Sequence, residues 1–207
     1  MGLSKDQLRT SLDAIAATEP LVAAAVARVG YPEPRIREPG YETLLRTIVG
    51  QQVSVAAAAS IWNKLAAGLG DLTRPEIVAA ASDETLRAAG LSRQKASYAR
   101  SLAEEVSNGR LDLTALPADD EEAIAQLVRV KGIGRWSAEI YLLFAEGRVD
   151  IWPAGDLAVQ IEIGRIMGHA ERPSEKLTRA IAEPWRPHRG AAAILAWHHY
   201  KAEMEVI

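Results

Sequence analysis

Three features of the 207-residue sequence predict an all-α fold. Apolar residues recur at helical spacing along most of its length, and cap or proline signals stand where several of these stretches begin. Alternating strand patterns are confined to brief runs such as Leu111-Asp112-Leu113. Ser4 with Gln7 forms a capping box that opens the first helix. Thr18-Glu19-Pro20 restarts a helix that ends before Gly30. From Tyr41 to Val49, residues Leu44, Leu45 and Ile48 share one helical face, and Gly50 interrupts it. After Gln51-Gln52-Val53, Ser54 caps an alanine-rich helix reaching about Leu69. Short helices follow over 74–81 and 83–89, the second closing before Gly90. Helices over 93–107, 119–128, 135–146, 157–168, 174–183 and 188–205 complete the chain, with no repeat or low-complexity linker.

Composition narrows the function classes. An apolar fraction of 48% over this length can bury one sizeable core or two intimate ones. With no cysteine the sequence has no disulfide, zinc-thiolate site or cysteine-ligated iron–sulfur cluster, which fits a reducing cytoplasm. Met1-Gly2-Leu3-Ser4-Lys5-Asp6 opens a polar amphipathic segment, and no stretch approaches the roughly 20 apolar residues of a membrane span. The expectation is a cytoplasmic monomer that makes no membrane contact. A net charge of −3 argues against coating nucleic acid through bulk charge. Local runs differ: Arg87, Arg93, Lys95 and Arg100 lie in an acid-free segment, as do Arg129, Lys131 and Arg135. Either run is a solvated helix face or a binding patch.

The second basic run holds the most informative motif, Val128-Arg129-Val130-Lys131-Gly132-Ile133-Gly134-Arg135-Trp136-Ser137. It is not a dinucleotide fingerprint, because the third glycine position is Ser137 and the preceding Ile124, Leu127 and Val128 are spaced for a helix. Helix 119–128, a Lys131-to-Gly134 turn and helix 135–146 read as a helix–hairpin–helix. Glycines let backbone approach a phosphate, and amides at the start of the second helix aim partial positive charge at it. A plain glycine turn between packed helices is the other reading. Downstream, Pro153-Ala154-Gly155-Asp156 places a carboxylate before Leu157-Ala158-Val159, either as a helix N-cap or as an acid for chemistry. His169, His188, His198 and His199 have no metal-ligand spacing, so no catalytic divalent metal is expected.

From about Tyr41 to Tyr200 the sequence resembles the helix–hairpin–helix DNA glycosylases, in their DNA-3-methyladenine glycosylase II branch. The resemblance rests on Ile48-Val49-Gly50-Gln51-Gln52-Val53-Ser54, Gly90-Leu91-Ser92 leading to Lys95-Ala96, Lys131 through Ala138, Pro153 through Leu157, and Trp185-Arg186-Pro187. It implies a two-lobed helical bundle, with 40–150 as the bundle carrying the hairpin and 1–39 plus 151–207 as a second lobe. The active site would lie in the cleft between them. It also implies a partner, double-stranded DNA containing damaged bases, and work in base excision repair beside the nucleoid.

The resemblance assigns roles residue by residue. Asp156 matches the catalytic aspartate, which would support oxocarbenium character on the sugar as the base departs. Relatives that also cut the strand carry a lysine two residues after the second hairpin glycine; this chain has Trp136 there, which implies hydrolysis without strand cleavage. Gln51 and Gln52 match the loop that fills the gap left by a flipped nucleotide, with Gln52 where some relatives carry leucine. Gln51, Gln52, Lys131, Gly132, Gly134, Arg135 and Ser137 would form the DNA-binding set. Trp136 and Trp185 are the base-pocket candidates, suited to stacking on a cationic N-alkylated purine, with Trp152 and Tyr141 behind them. Ile140 and Leu157 also belong to the pocket, at positions where a relative places tyrosines. No cofactor is required, and the carbonyls of Val128, Val130 and Ile133 match a site for a monovalent cation, Na+ or K+. Glycosylases of this fold for deaminated or oxidised bases, and a non-catalytic DNA-binding module, remain alternatives.

Overall fold

The computed structural model describes residues 2–205, and every regular element among them is helical. Contacts divide the chain into two units: one runs to Arg37 and resumes at Leu142, and the other is Glu38–Tyr141.

The first unit begins with α1 (Lys5–Ala16) and α2 (Pro20–Val29). Ser4 Oγ accepts the Gln7 amide at 3.2 Å while Gln7 Oε1 accepts the Ser4 amide at 2.9 Å, the reciprocal bonds of a capping box. The cap of α2 is Glu19, whose carboxylate accepts the Leu21 amide.

The second unit contains α3 (Tyr41–Gly50), α4 (Val55–Leu69), α5 (Pro75–Ala80), α6 (Asp83–Ala88), α7 (Arg93–Ser107), α8 (Asp120–Leu127) and α9 (Arg135–Tyr141). Helix α7 is its organising element, packed against α3, α5 and α6, with Ala96, Ala99, Leu102 and Ala103 fully or almost fully buried. Helix α9 packs on α8 and α3. Ser54, Ser82, Ser92 and Asp119 cap α4, α6, α7 and α8 through side-chain oxygens, so short polar residues before apolar runs define these starts.

The expected single helix over 135–146 changes character midway. After Tyr141 the backbone widens into a π-helical turn, Leu142–Glu146, and the Phe144 carbonyl accepts the Arg37 amide at 2.8 Å. The unit boundary accordingly falls after residue 141 and not at 150. Residues 142–150 pack with the later chain: Gly190 donates to the Val149 carbonyl at 2.9 Å, and the Asp150 carboxylate is bridged by Arg186 at 2.7 Å and Arg189 at 2.8 Å.

The first unit is completed by α10 (Leu157–Ile166), α11 (Glu175–Ala182), a single 3₁₀ turn at Glu183–Trp185 and α12 (Arg189–Glu205). Helix α10 packs on α2, α11 and α12, while α12 also meets α1 and α2. No helix among the described residues is long and apolar enough to cross a membrane.

Candidate active site

The hairpin closes by short-range bonds. The Val130 amide donates to the Leu127 carbonyl at 3.2 Å, the Ile133 amide to Val130 at 3.0 Å, and the Ala138 amide to Gly134 at 3.0 Å, which starts α9. Val130 and Ile133 bury their side chains beneath the turn. The two glycines serve different needs. Gly132 has φ 85, and a Cβ there would stand 2.1 Å from Tyr98 Cδ2 of α7. Gly134 is exposed and a Cβ there would meet nothing within 4 Å, so its backbone is open to approach from outside.

Three contacts that no local pattern announces fasten this turn. Gln51 Nε2 donates to the Gly132 carbonyl at 2.8 Å, Ser101 Oγ accepts the Lys131 amide at 3.2 Å, and the Tyr98 ring fills the space beside Gly132. Lys95, one turn before Tyr98 on α7, donates to the Val49 carbonyl at 2.9 Å and so caps the end of α3. Partial burial lowers the proton affinity of its ammonium. The loop after α3 is therefore held from both sides, with Gln51 turned to the hairpin. Gln52 adopts φ 54, a left-handed conformation unusual for a residue with a Cβ, and is exposed beside Val53 and Val55.

Arg135, expected in the DNA-binding set, is engaged within the protein. Its guanidinium forms a two-pronged pair with Glu121 of α8 and donates from Nε to Glu139 at 2.9 Å; Glu139 is only 2% exposed. Hydrogen bonding to Glu121 leads the causes that raise its proton affinity further. Within the acid-free run, Arg135 is thus paired in space with acids fourteen residues earlier and four later. Lys131 stays exposed, while Ser137 and Ile140 are buried. Trp136 is 46% exposed at the start of α9.

In the first unit, Pro153-Ala154-Gly155 forms a turn in which the Asp156 amide donates to Pro153 at 2.9 Å and Gln160 Nε2 braces the Ala154 carbonyl at 2.7 Å. Asp156 is the N-cap of α10, its Oδ1 accepting the Val159 amide at 3.0 Å. The same oxygen accepts Trp197 Nε1–H from α12 at 3.1 Å. Capping and a fixed, half-exposed carboxylate are therefore one arrangement. Leu157, the next residue, is exposed. Trp185 is 3% exposed and edge-on to Trp152, with centroids 5.9 Å apart, which makes it a core residue of this unit. Trp197, which donates to Asp156, is not singled out by the sequence motifs; the packing of α12 on α10 reveals it.

Comparison with known proteins agrees with this geometry. The family model of the HhH-GPD superfamily of base excision DNA repair proteins matches residues 45–187. DNA-3-methyladenine glycosylase 1 of Schizosaccharomyces pombe is 33% identical over 165 residues, covering 78% of this chain and 72% of that protein. A crystal structure of a DNA-3-methyladenine glycosidase from Bacillus halodurans superimposes with a TM-score of 0.87 at 31% identity, covering 94% of this chain and 91% of that one. A 3-methyladenine DNA glycosylase of S. pombe in complex with abasic DNA gives 0.77 at 28% identity, covering 94% and 97%. The chain belongs to the HhH-GPD superfamily of base excision DNA repair proteins, in the branch of the DNA-3-methyladenine glycosylases.

Proposed function

We propose that this protein is a monofunctional DNA glycosylase that removes N-alkylated bases of the 3-methyladenine and 7-methylguanine type from double-stranded DNA. The observation that carries the reading is Asp156, a half-exposed carboxylate fixed by donors from two helices in a chain of this family. The damaged nucleotide is turned out of the stack and Gln52, exposed on its strained loop, fills the gap. The C1′–N bond breaks with its electron pair leaving on the base, and Asp156 stabilises the oxocarbenium charge on the sugar. Water adds to C1′ and loses its proton to Asp156 or to solvent, which leaves an abasic site. An N-alkylated purine already carries positive charge and departs as a neutral base, so little leaving-group protonation is required. Trp136 stands where a strand-cutting relative needs an amine, and an indole forms no Schiff base.

DNA backbone would be held by the Gly134 side of the hairpin and by Lys131. The carbonyls of Val128, Val130 and Ile133 would hold Na+ or K+; the Val130 oxygen accepts one amide at 3.0 Å, which leaves its second lone pair for a cation. Such an ion would add positive charge beside a bound phosphate. The protein would act as a monomer, in the cytoplasm at the nucleoid.

A panel of duplexes tests the base class. Equal amounts of enzyme are given duplexes holding a methylated purine, hypoxanthine, 8-oxoguanine or uracil, and free base is measured by chromatography. Release from the methylated purine is expected to exceed the others by at least about tenfold, the size of a specificity set by a few pocket contacts. Faster release of hypoxanthine, 8-oxoguanine or uracil would move the assignment to deaminated or oxidised bases.

A further inference from the structure

The second donor to Asp156 exceeds what a helix cap requires. One backbone amide satisfies an aspartate N-cap, and Val159 supplies it. The terminal torsion of an aspartate is broad, however, so a bond from a second helix narrows it in a way a cap from its own helix does not. Trp197 adds a bond from a different helix to the same oxygen at 3.1 Å. The indole is itself clamped: the Arg35 guanidinium lies 5.5 Å from its ring centroid, and the Phe144 ring packs against it at 5.5 Å and 52°. Arg37 in turn sits 5.7 Å from the Phe144 ring. A second rung between the same helices lies close by, where His199 Nδ1 of α12 meets Glu162 Oε2 of α10 at 2.7 Å, both side chains buried. Trp197 remains half-buried, so its ring borders the accessible carboxylate.

We propose that Trp197 is a positioning residue for the reaction, its indole N–H fixing the orientation of the Asp156 carboxylate toward the sugar carbon. This rests on Asp156 being the carboxylate that stabilises the cationic sugar. A charge already oriented in the ground state stabilises a developing cation without reorganising at the moment of bond breaking, whereas a rocking carboxylate must be ordered first. The role belongs to the N–H and not to the bulk of the ring.

Trp197→Phe keeps an aromatic ring between Arg35 and Phe144 while removing the donor together with part of the ring's bulk. Single-turnover release of methylated purine should fall about 10- to 100-fold, and binding of a duplex with a cationic pyrrolidine abasic analogue about tenfold, with the neutral tetrahydrofuran analogue bound as by wild type. The pyrrolidine ammonium imitates the oxocarbenium charge, so a fault confined to packing would weaken both analogues alike. Incorporating 3-benzothienylalanine at position 197, isosteric with tryptophan but lacking N–H, should give the same pattern even if the phenylalanine variant folds poorly. A wild-type release rate, or equal loss of both analogues, in the benzothienyl protein overturns the proposal. An inactive Asp156→Asn beside a fully active Trp197 variant overturns the role of Trp197 alone; a fully active Asp156→Asn overturns the catalytic reading of Asp156.

Discussion

Asp156→Asn should lower the rate of base release by roughly 10²- to 10³-fold, the usual loss when one preorganised electrostatic group is removed, while the protein melts within a degree or two of wild type. Asparagine caps helices about as well as aspartate. Its amide oxygen can still accept from Val159 and Trp197, so α10 and its contact with α12 keep their bonds. What disappears is the negative charge. Asp156→Ala separates the two roles: it loses the charge and the cap together and should cost about 1 kcal/mol of stability in addition. Single-turnover base release and thermal melting, measured side by side on both variants, read the two effects independently. An asparagine variant with wild-type release would make Asp156 a helix cap and nothing more.

Gly132→Ala is expected to be the most damaging small substitution in the hairpin. A side chain at φ 85 is strained, and its Cβ would overlap the Tyr98 ring, at 2.1 Å from Cδ2. Strain of about 1–3 kcal/mol and overpacking of similar size together predict a loss of roughly 2–6 kcal/mol in urea denaturation. The two causes can be separated. In a Tyr98→Ala background the overlap is gone and only the backbone strain should remain, so the two substitutions should couple strongly in a double-mutant cycle. Gly134→Ala is the contrast: its Cβ would meet nothing within 4 Å, so stability should hold. Equal stability losses at 132 and 134 would contradict the division of labour between the two glycines.

Elements whose causes are local were legible in the sequence. Ser4, Ser54 and Asp119 each sit next to the amides they cap, and the helices opened by Ser54 and Asp119 run close to their expected ends. The all-helical class and the hairpin follow from the same short-range signals. Features set by distant partners were not legible. The π turn is joined through the Phe144 carbonyl to Arg37, and the division of the chain at 141 depends on Gly190, Arg186 and Arg189 gathering residues 142–150 to themselves. Counting charges along the chain left Arg135 as a basic residue, although Glu121 and Glu139 surround it once α8 and α9 pair. The surroundings of the aromatics were hidden for the same reason: nothing adjacent to Trp185 or Trp197 tells which is buried against Trp152 and which reaches Asp156. The bond from the Gln51 amide to the Gly132 carbonyl, eighty-one residues away, has no local signal either. Motif position located Asp156, and packing supplied what surrounds it.

This chain is expected to cut the glycosylic bond and leave the strand whole. A duplex with one N-methylated purine and a labelled 5′ end tests it most directly, with free base and strand length followed in the same reaction, before and after alkali and with borohydride present. The methylated base should be released while the labelled strand stays full length until alkali cleaves it at the abasic site, and borohydride should trap no protein–DNA adduct. Absence of released base, or a shortened strand before alkali together with a trapped adduct, would contradict it.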